Sequence, residues 1–225
     1  MTDLILAIDT ATSVASVALW SPGRVHAEET WRSAANHTVE LMPTVTRLLE
    51  RQGFAPRDLT GLAVTRGPGS FTGMRIGMSL VKGLALSLGV PMAAVPTLEV
   101  VAHAQSARFL PVRAVLQAGR GRLCWADFHW QRKRWRQQGD VRLGRVREML
   151  EDVRERTLFC GELGEAEVKL IRESLGAAAV VASPAESLRR ASYLAELAYR
   201  RLSRGEADPL TVSPEYLNPG NGSIG

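Results

Sequence analysis

Apolar and polar positions follow two different periods along the chain. Leu4-Ile5-Leu6-Ala7-Ile8-Asp9 and Val14-Ala15-Ser16-Val17-Ala18-Leu19-Trp20 are short apolar runs, and Ser21-Pro22-Gly23-Arg24 is a turn leading into Val25 to Thr30. They predict an antiparallel three-strand meander. The period then lengthens. Leu41, Met42, Val45, Leu48 and Leu49 recur at helical spacing, with Gly53 placed to end the helix and Pro56 to stop its resuming, so a helix is predicted from about Thr38 to Gln52. Leu62-Ala63-Val64-Thr65 reads as a buried strand, a second helix follows through about Leu88, and Met92-Ala93-Ala94-Val95 closes the unit as a strand. Meander, helix, strand, helix, strand is the α/β pattern of a sheet covered by helices.

Strand patterns begin again at Val112-Arg113-Ala114-Val115-Leu116 and at the aromatic run Leu123 to Trp130, and Gln131 to Arg136 reads as a basic hairpin tip. A helix near Arg145 to Arg154, a strand at Thr157 to Cys160, a helix near Glu165 to Ser174 and a short strand at Ala178 to Ala182 follow. A last helix is predicted from about Pro184 to Arg204, with Leu188, Tyr193, Leu194, Leu197, Ala198 and Leu202 at helical spacing. The pattern divides the chain into subdomains 1–107 and 108–217, the second smaller, with a tail at 218–225 too poor in apolar residues to order itself. Two strand-rich halves arranged this way hint at a duplicated core.

Composition adds exclusions. With 225 residues, 45% apolar, the chain has material for a real core. Cys124 and Cys160 stand far apart, outside any ligand-like spacing, so neither a disulfide framework nor a zinc site is expected and a reduced cytoplasm fits. No basic leader precedes the first strand, and Lys82, Pro91 and Pro96 interrupt the apolar stretch after Met74, so neither a signal peptide nor a membrane span is expected. The formal charge of +5 and pI near 9.8 suit a phosphate-rich partner. Of the 28 basic residues only Lys82, Lys133 and Lys169 are lysine, a preference that genomic base composition explains equally well.

The stretch from Arg66 to Gly77, RGPGSFTGMRIG, crowds glycines at the start of the second helix, as phosphate-holding loops do. Ser70 or Thr72 is placed to cap that helix. The phosphate-loop pattern nonetheless fails, because no lysine occurs before Lys82, and the three-glycine dinucleotide pattern fails as well. Gly73 and Gly77 share one helical face, with Ser70 and Leu80 or Val81 near the same stripe. Glycine inside a helix costs about 1 kcal/mol relative to alanine, so the pair predicts a close helix neighbour, either within the chain or on another chain. In the first helix Leu41, Val45 and Leu48 form one stripe and Met42 and Leu49 lie off it, a width that predicts a second contact.

Candidate chemistry is sparse. Asp9, Thr10, Thr12 and Ser13 form a hydroxyl-rich turn after the first strand, a weak phosphate candidate that equally reads as a hairpin closed by side-chain to backbone hydrogen bonds. His26, His37, His103 and His129 show no metal-ligand spacing, no nucleophile elbow occurs, and Asp9, Glu40, Glu99 and Asp127 are unpaired in sequence. Between Trp125 and Arg147, Trp130 and Trp135 alternate with Arg132, Lys133, Arg134 and Arg136. Aromatics can stack on bases while arginines meet phosphates, which makes these four cations the candidate nucleic-acid contact. A solvated hairpin tip with aromatic feet in the core is the other reading.

Five stretches carry a family resemblance: Ile5 to Thr12, His37-Thr38 before Leu41-Met42-Pro43, Gly67 to Gly77, Gly83-Leu84-Ala85-Leu86, and Pro214-Glu215-Tyr216-Leu217. Together they resemble the bacterial TsaB (YeaZ) family. The resemblance implies an ASKHA (actin-like, ribonuclease H-like) fold of two α/β subdomains, the second reduced. It also implies a role in making N6-threonylcarbamoyladenosine (t6A) at position 37 of tRNAs reading codons that start with A. Its partners would be the paralogous transferase TsaD and the ATPase TsaE, with a homodimer when TsaD is missing. Metal and ATP would belong to the partners, leaving this chain without cofactor or catalytic residue. Where TsaD has two metal-binding histidines this chain has Thr97 and Val101. The partner interface would comprise Leu41, Met42, Val45, Leu49, Ser70, Gly73, Met74, Gly77 and Val81, so leucine at Gly73 or Gly77 should abolish pairing and leave the fold intact. Gln117, Arg122 and Lys82 depart from the family pattern. An ASKHA enzyme with its own ATP-dependent activity is the alternative.

Overall fold

The structure is a computed structural model describing residues 3–33 and 37–217, so the expected tail at 218–225 lies outside the described residues. The chain forms two compact units, Met1–Thr97 with Arg190–Glu215, and Leu98–Arg189 with Tyr216–Gly225. This corrects the expected division at residues 107 and 108. The last helix returns to the first unit, because its apolar face finds its partner there.

In the first unit, β1 (Ile5–Asp9), β2 (Val14–Ser21) and β3 (Arg24–Arg32) form the expected meander. Helix α1 (His37–Gln52) leads to β4 (Gly61–Gly67), and α2 (Phe71–Leu88) leads to β5 (Met92–Pro96). The sheet order is β3-β2-β1-β4-β5, with β4 and β5 parallel to β1. Strand alternation assigns the two faces. Leu6, Ile8, Val17, Leu19, Leu62 and Val64 form one core with Leu41, Val45 and Leu48 of α1 and Met78 and Val81 of α2. On the other face Ala18, Ala7, Ala63 and Ala93 stand in register across four strands. This alanine row leaves room for a helix to lie close, and α6 (Ala191–Leu202) packs on β1, β2, β4 and β5 with Leu194, Ala195 and Ala198 fully buried. Each fully buried leucine contributes roughly 2 kcal/mol.

The second unit repeats the plan. It opens with α3 (Thr97–His103), followed by β6 (Val112–Gln117), β7 (Leu123–Gln131) and β8 (Arg134–Gly144). Then come α4 (Val146–Leu150), β9 (Thr157–Gly161), α5 (Glu165–Leu175) and β10 (Ala179–Val181). The order β8-β7-β6-β9-β10 repeats that of the first sheet strand for strand. The duplication hinted at by the sequence is therefore real at the level of topology, with helices of 5 and 11 residues where the first unit has 16 and 18.

A charged cluster anchors α4 to this second sheet. Arg113 on β6 is buried and donates Nε to Asp127 Oδ1 at 2.6 Å and Nη2 to Asp127 Oδ2 at 2.8 Å. Its Nη1 donates to Asp152 Oδ1 at 2.9 Å and to the Met149 carbonyl. Arg142 closes the box by donating to Asp127 and Asp152. Burial alone would raise the Asp152 carboxyl's pKa, yet the hydrogen bonds from Arg142 and Arg113 outweigh that and hold it below the usual carboxylate range.

Two predicted helices come out shorter. Residues 184–187 form a turn in which Ser183 and Glu186 cap one another's backbone amides, so α6 starts only at Ala191. The helix expected from Arg145 to Arg154 ends at Leu150.

Candidate functional site

The glycine-rich stretch opens α2 as expected, but its neighbour belongs to the same chain. Ser70 is the N-cap, its side chain accepting from the Gly73 amide at 3.3 Å, while the Ser70 amide donates to the Ala11 carbonyl at 2.6 Å. The first turn of α2 therefore lies on the β1–β2 turn. A Cβ at Gly73 would stand 2.2 Å from the Thr10 carbonyl oxygen, and one at Gly77 would stand 2.3 Å from Thr10 Oγ1. Thr10 Oγ1 itself donates to the Gly73 carbonyl at 2.8 Å.

The weak phosphate candidates close this hairpin. Asp9 is buried and accepts from the Ala11 amide at 2.9 Å and from Thr65 Oγ1 at 3.0 Å. Thr12 Oγ1 accepts from the Val14 amide at 3.2 Å, and Ser13 Oγ accepts from Arg32 at 3.4 Å. These contacts match the reading of the turn as a hairpin closed by its own side chains.

The predicted interface needs correcting. Leu41, Val45, Leu49, Met74 and Val81 are each less than 5% exposed, and Gly73 and Gly77 are buried as well. All seven face their own chain. Of the nine residues expected to meet a partner, only Met42 and Ser70 are exposed. The same two helices nevertheless frame an open groove of about 370 Å³, lined by Thr38, Leu41 and Met42 of α1 and by Arg75, Ile76, Ser79 and Leu80 of α2. Met42 is 41% exposed on its rim, and Val39, Phe71 and Leu86 are other exposed apolar residues on these helices. Gly83, on the exposed side of α2, has nothing within 4 Å of where its Cβ would lie. Sequence reasoning missed Thr38, Arg75, Ile76 and Ser79, and it settled on Val81 where the groove takes Leu80. The available signal was the apolar pair Ile76 and Leu80, one turn apart and rotated off the glycine stripe.

The scattered polar candidates stay apart. His26 contacts Ser21 Oγ at 2.9 Å and the edge of Phe54, and His37 is buried at the start of α1. Hydrogen bonds from Ser33 and Trp31 hold the Glu40 carboxyl below the usual range. Burial pushes the Cys124 thiol up to about 12 and raises Cys160 further, which makes both poor nucleophiles. Thr97 and Val101 are buried, and among the described residues no group of three or more His, Cys, Asp or Glu side chains is arranged to hold a metal ion. Of the departures, Gln117 bonds Glu162 through its amide and side chain, while Arg122, after the β6–β7 turn, and Lys82, on α2, are half-buried. The basic hairpin forms as expected, with Trp135 buried, Trp130 half-buried, and Arg132 and Lys133 at the turn. No helix among the described residues is long and apolar enough to cross a membrane.

Residues 29–200 match the family described as TsaD, tRNA N6-adenosine threonylcarbamoyltransferase. Over 95% of its length, and 93% of the relative's, the chain is 34% identical to the tRNA threonylcarbamoyladenosine biosynthesis protein TsaB of Bacillus subtilis. The chain belongs to the TsaB (YeaZ) family. A solved structure described as YeaZ from Pseudomonas aeruginosa has a TM-score of 0.79 at 29% identity, covering 96% of this chain and 100% of that one. Component A of (R)-2-hydroxyglutaryl-CoA dehydratase from Acidaminococcus fermentans matches with a TM-score of 0.51 at 11% identity, over 90% of this chain and 100% of that one, and shares the fold alone. The two-unit architecture of this TsaB-family chain is accordingly the ASKHA, actin-like fold.

Proposed function

We propose that the chain takes part in forming N6-threonylcarbamoyladenosine at position 37 of tRNAs reading codons that start with A, as a non-catalytic subunit. It docks on a TsaD-like transferase through the groove between α1 and α2, pairs with a second copy of itself when that partner is missing, and works beside a TsaE-like ATPase. Metal and ATP belong to the partners, and the complex works in the cytoplasm.

The observation that carries this reading is the groove: exposed Met42 and half-exposed Ile76 and Leu80 line it, with buried Leu41 behind them, between two helices whose other faces complete a packed core. The names of its relatives supply the reaction, and the match to the transferase family supports a related protein as the occupant. A self-sufficient ATP-dependent enzyme is less favoured, because α2 covers the β1–β2 turn and the Ser70 amide is bonded to Ala11.

Reconstitution tests the proposal. Unmodified tRNA, threonine, bicarbonate and ATP are supplied with the enzyme that makes threonylcarbamoyl-adenylate, and t6A is read by mass spectrometry of nucleosides. The chain alone is expected to form none and to leave ATP unconsumed, whereas adding it to TsaD-like and TsaE-like partners raises t6A well above what they make without it. Product or brisk ATP turnover from the chain alone overturns the proposal.

A further inference from the structure

The β7–β8 hairpin carries a feature that neither the core nor the groove uses. Gln131 pairs with Arg134 across a two-residue turn, Arg132-Lys133, and both turn residues have left-handed backbone angles, φ 49° and 62°. Turns of this mirror-image kind form most readily from Asn-Gly, and residues with a Cβ adopt such angles only under strain. The β2–β3 turn of the same chain puts Gly23 at its left-handed position, φ 80°. The second hairpin instead holds two side chains in strained backbone, and its gain is two cations at its outermost point.

The surroundings extend the charge. Arg134 and Arg136 follow on the face opposite Trp130 and Trp135. The Arg108 guanidinium lies 4.3 Å from the Trp130 ring centroid, and the next residue, Phe109, is 83% exposed. No carboxylate occurs from Phe128 to Gly139. Among the described residues none of Arg108, Arg132, Lys133, Arg134 or Arg136 forms an ion pair, whereas Arg113, Arg142 and Arg189 within the same unit are all matched to carboxylates. The nearest acid before the hairpin, Asp127, is taken by Arg113 and Arg142.

We infer that this hairpin is a contact for the phosphodiester backbone of RNA, with Arg132, Lys133, Arg134 and Arg136 meeting phosphates. Four cations close together in sequence on one hairpin, none matched to a carboxylate, suit the regularly spaced charges of a phosphodiester backbone. The inference deepens the proposed function and rests on it for naming the RNA as tRNA.

Two double variants test it by filter binding of unmodified tRNA across a salt series, on the chain alone and on its complex with the TsaD-like partner. R132N/K133G installs the favoured turn and removes two cations, so the chain should melt at a higher temperature while binding tRNA more weakly. A binding loss with a gain in stability cannot come from unfolding. Combined with R134Q/R136Q, affinity near 0.1 M salt should fall about tenfold or more, and the slope of log affinity against log salt should shrink by roughly 3. Unchanged affinity and slope overturn the inference. So does weakened pairing with the TsaD-like partner while tRNA binding persists, which makes the hairpin a protein contact. If the unaltered chain pairs with no TsaD-like protein, the proposed function fails, and the measurement on the chain alone still decides the hairpin.

Discussion

Leucine at Gly73 abolishes the native first unit. A Cβ at this position would stand 2.2 Å from the Thr10 carbonyl oxygen, a backbone atom that cannot rotate away. The Thr10 backbone belongs to the turn between β1 and β2, with Asp9 buried beside it, so the clash is relieved only by pulling α2 off the sheet. Overpacking with no room to relax costs roughly 3 kcal/mol or more, a large part of the 5–15 kcal/mol that holds a typical protein together. Urea denaturation followed by circular dichroism checks it: the variant should unfold at much lower urea or fail to accumulate as folded protein. Gly83→Ala is the control, since open space surrounds Gly83 and alanine in a helix gains about 1 kcal/mol over glycine. A Gly73→Leu protein as stable as the parent would contradict the packing described here.

The second unit should lose most from Arg113→Ala. The guanidinium is 5% exposed in its side chain, holds both Asp127 oxygens and reaches Asp152 and the Met149 carbonyl on the α4 side. Removing it leaves Asp127 short of its bidentate partner and the Met149 carbonyl short of a donor, and breaking a buried pair in this way costs about 3–5 kcal/mol. Arg142, whose side chain is 36% exposed, makes the informative comparison: Arg142→Ala should cost roughly 1 kcal/mol or less. Equal losses in the two variants would show that burial of Arg113 does not set its contribution. The pH dependence has a definite sign. The folded state holds Asp152 below the usual carboxylate range, so the unfolded chain takes up the proton first as pH falls. The stabilisation is complete at neutral pH, begins to fall as pH enters the usual carboxylate range and is lost as pH drops through the lower folded value, more steeply in the parent than in Arg113→Ala.

The sheets were legible because strands announce themselves locally: Leu4 to Asp9 and Val14 to Trp20 are short apolar runs and lie close to their predicted places. Helix α1 was legible for the same reason, with its end marked by Gly53. What local pattern could not supply was the owner of each contact. A glycine pair states that something comes close, and here that neighbour is Thr10, more than sixty residues earlier in the chain. The wide arc of α1 was explained internally too, since Leu41, Val45, Leu48 and Leu49 all reach the same core. The last helix was long in the sequence and short in the structure because Ser183 and Glu186 close a turn of their own before it. Its return to the first unit depends on the alanine row, visible only once four strands are in register.

The docking groove is the central claim, and Met42→Glu and Ser79→Arg test it most directly. Both positions line the groove and are exposed, so neither change disturbs the core. Size-exclusion chromatography of the chain with a TsaD-like transferase should show the parent co-eluting as a heterodimer. The account predicts that either variant weakens the pairing at least about tenfold, equivalent to 1.4 kcal/mol, with its melting temperature unchanged. Full co-elution of both variants with the partner would contradict it.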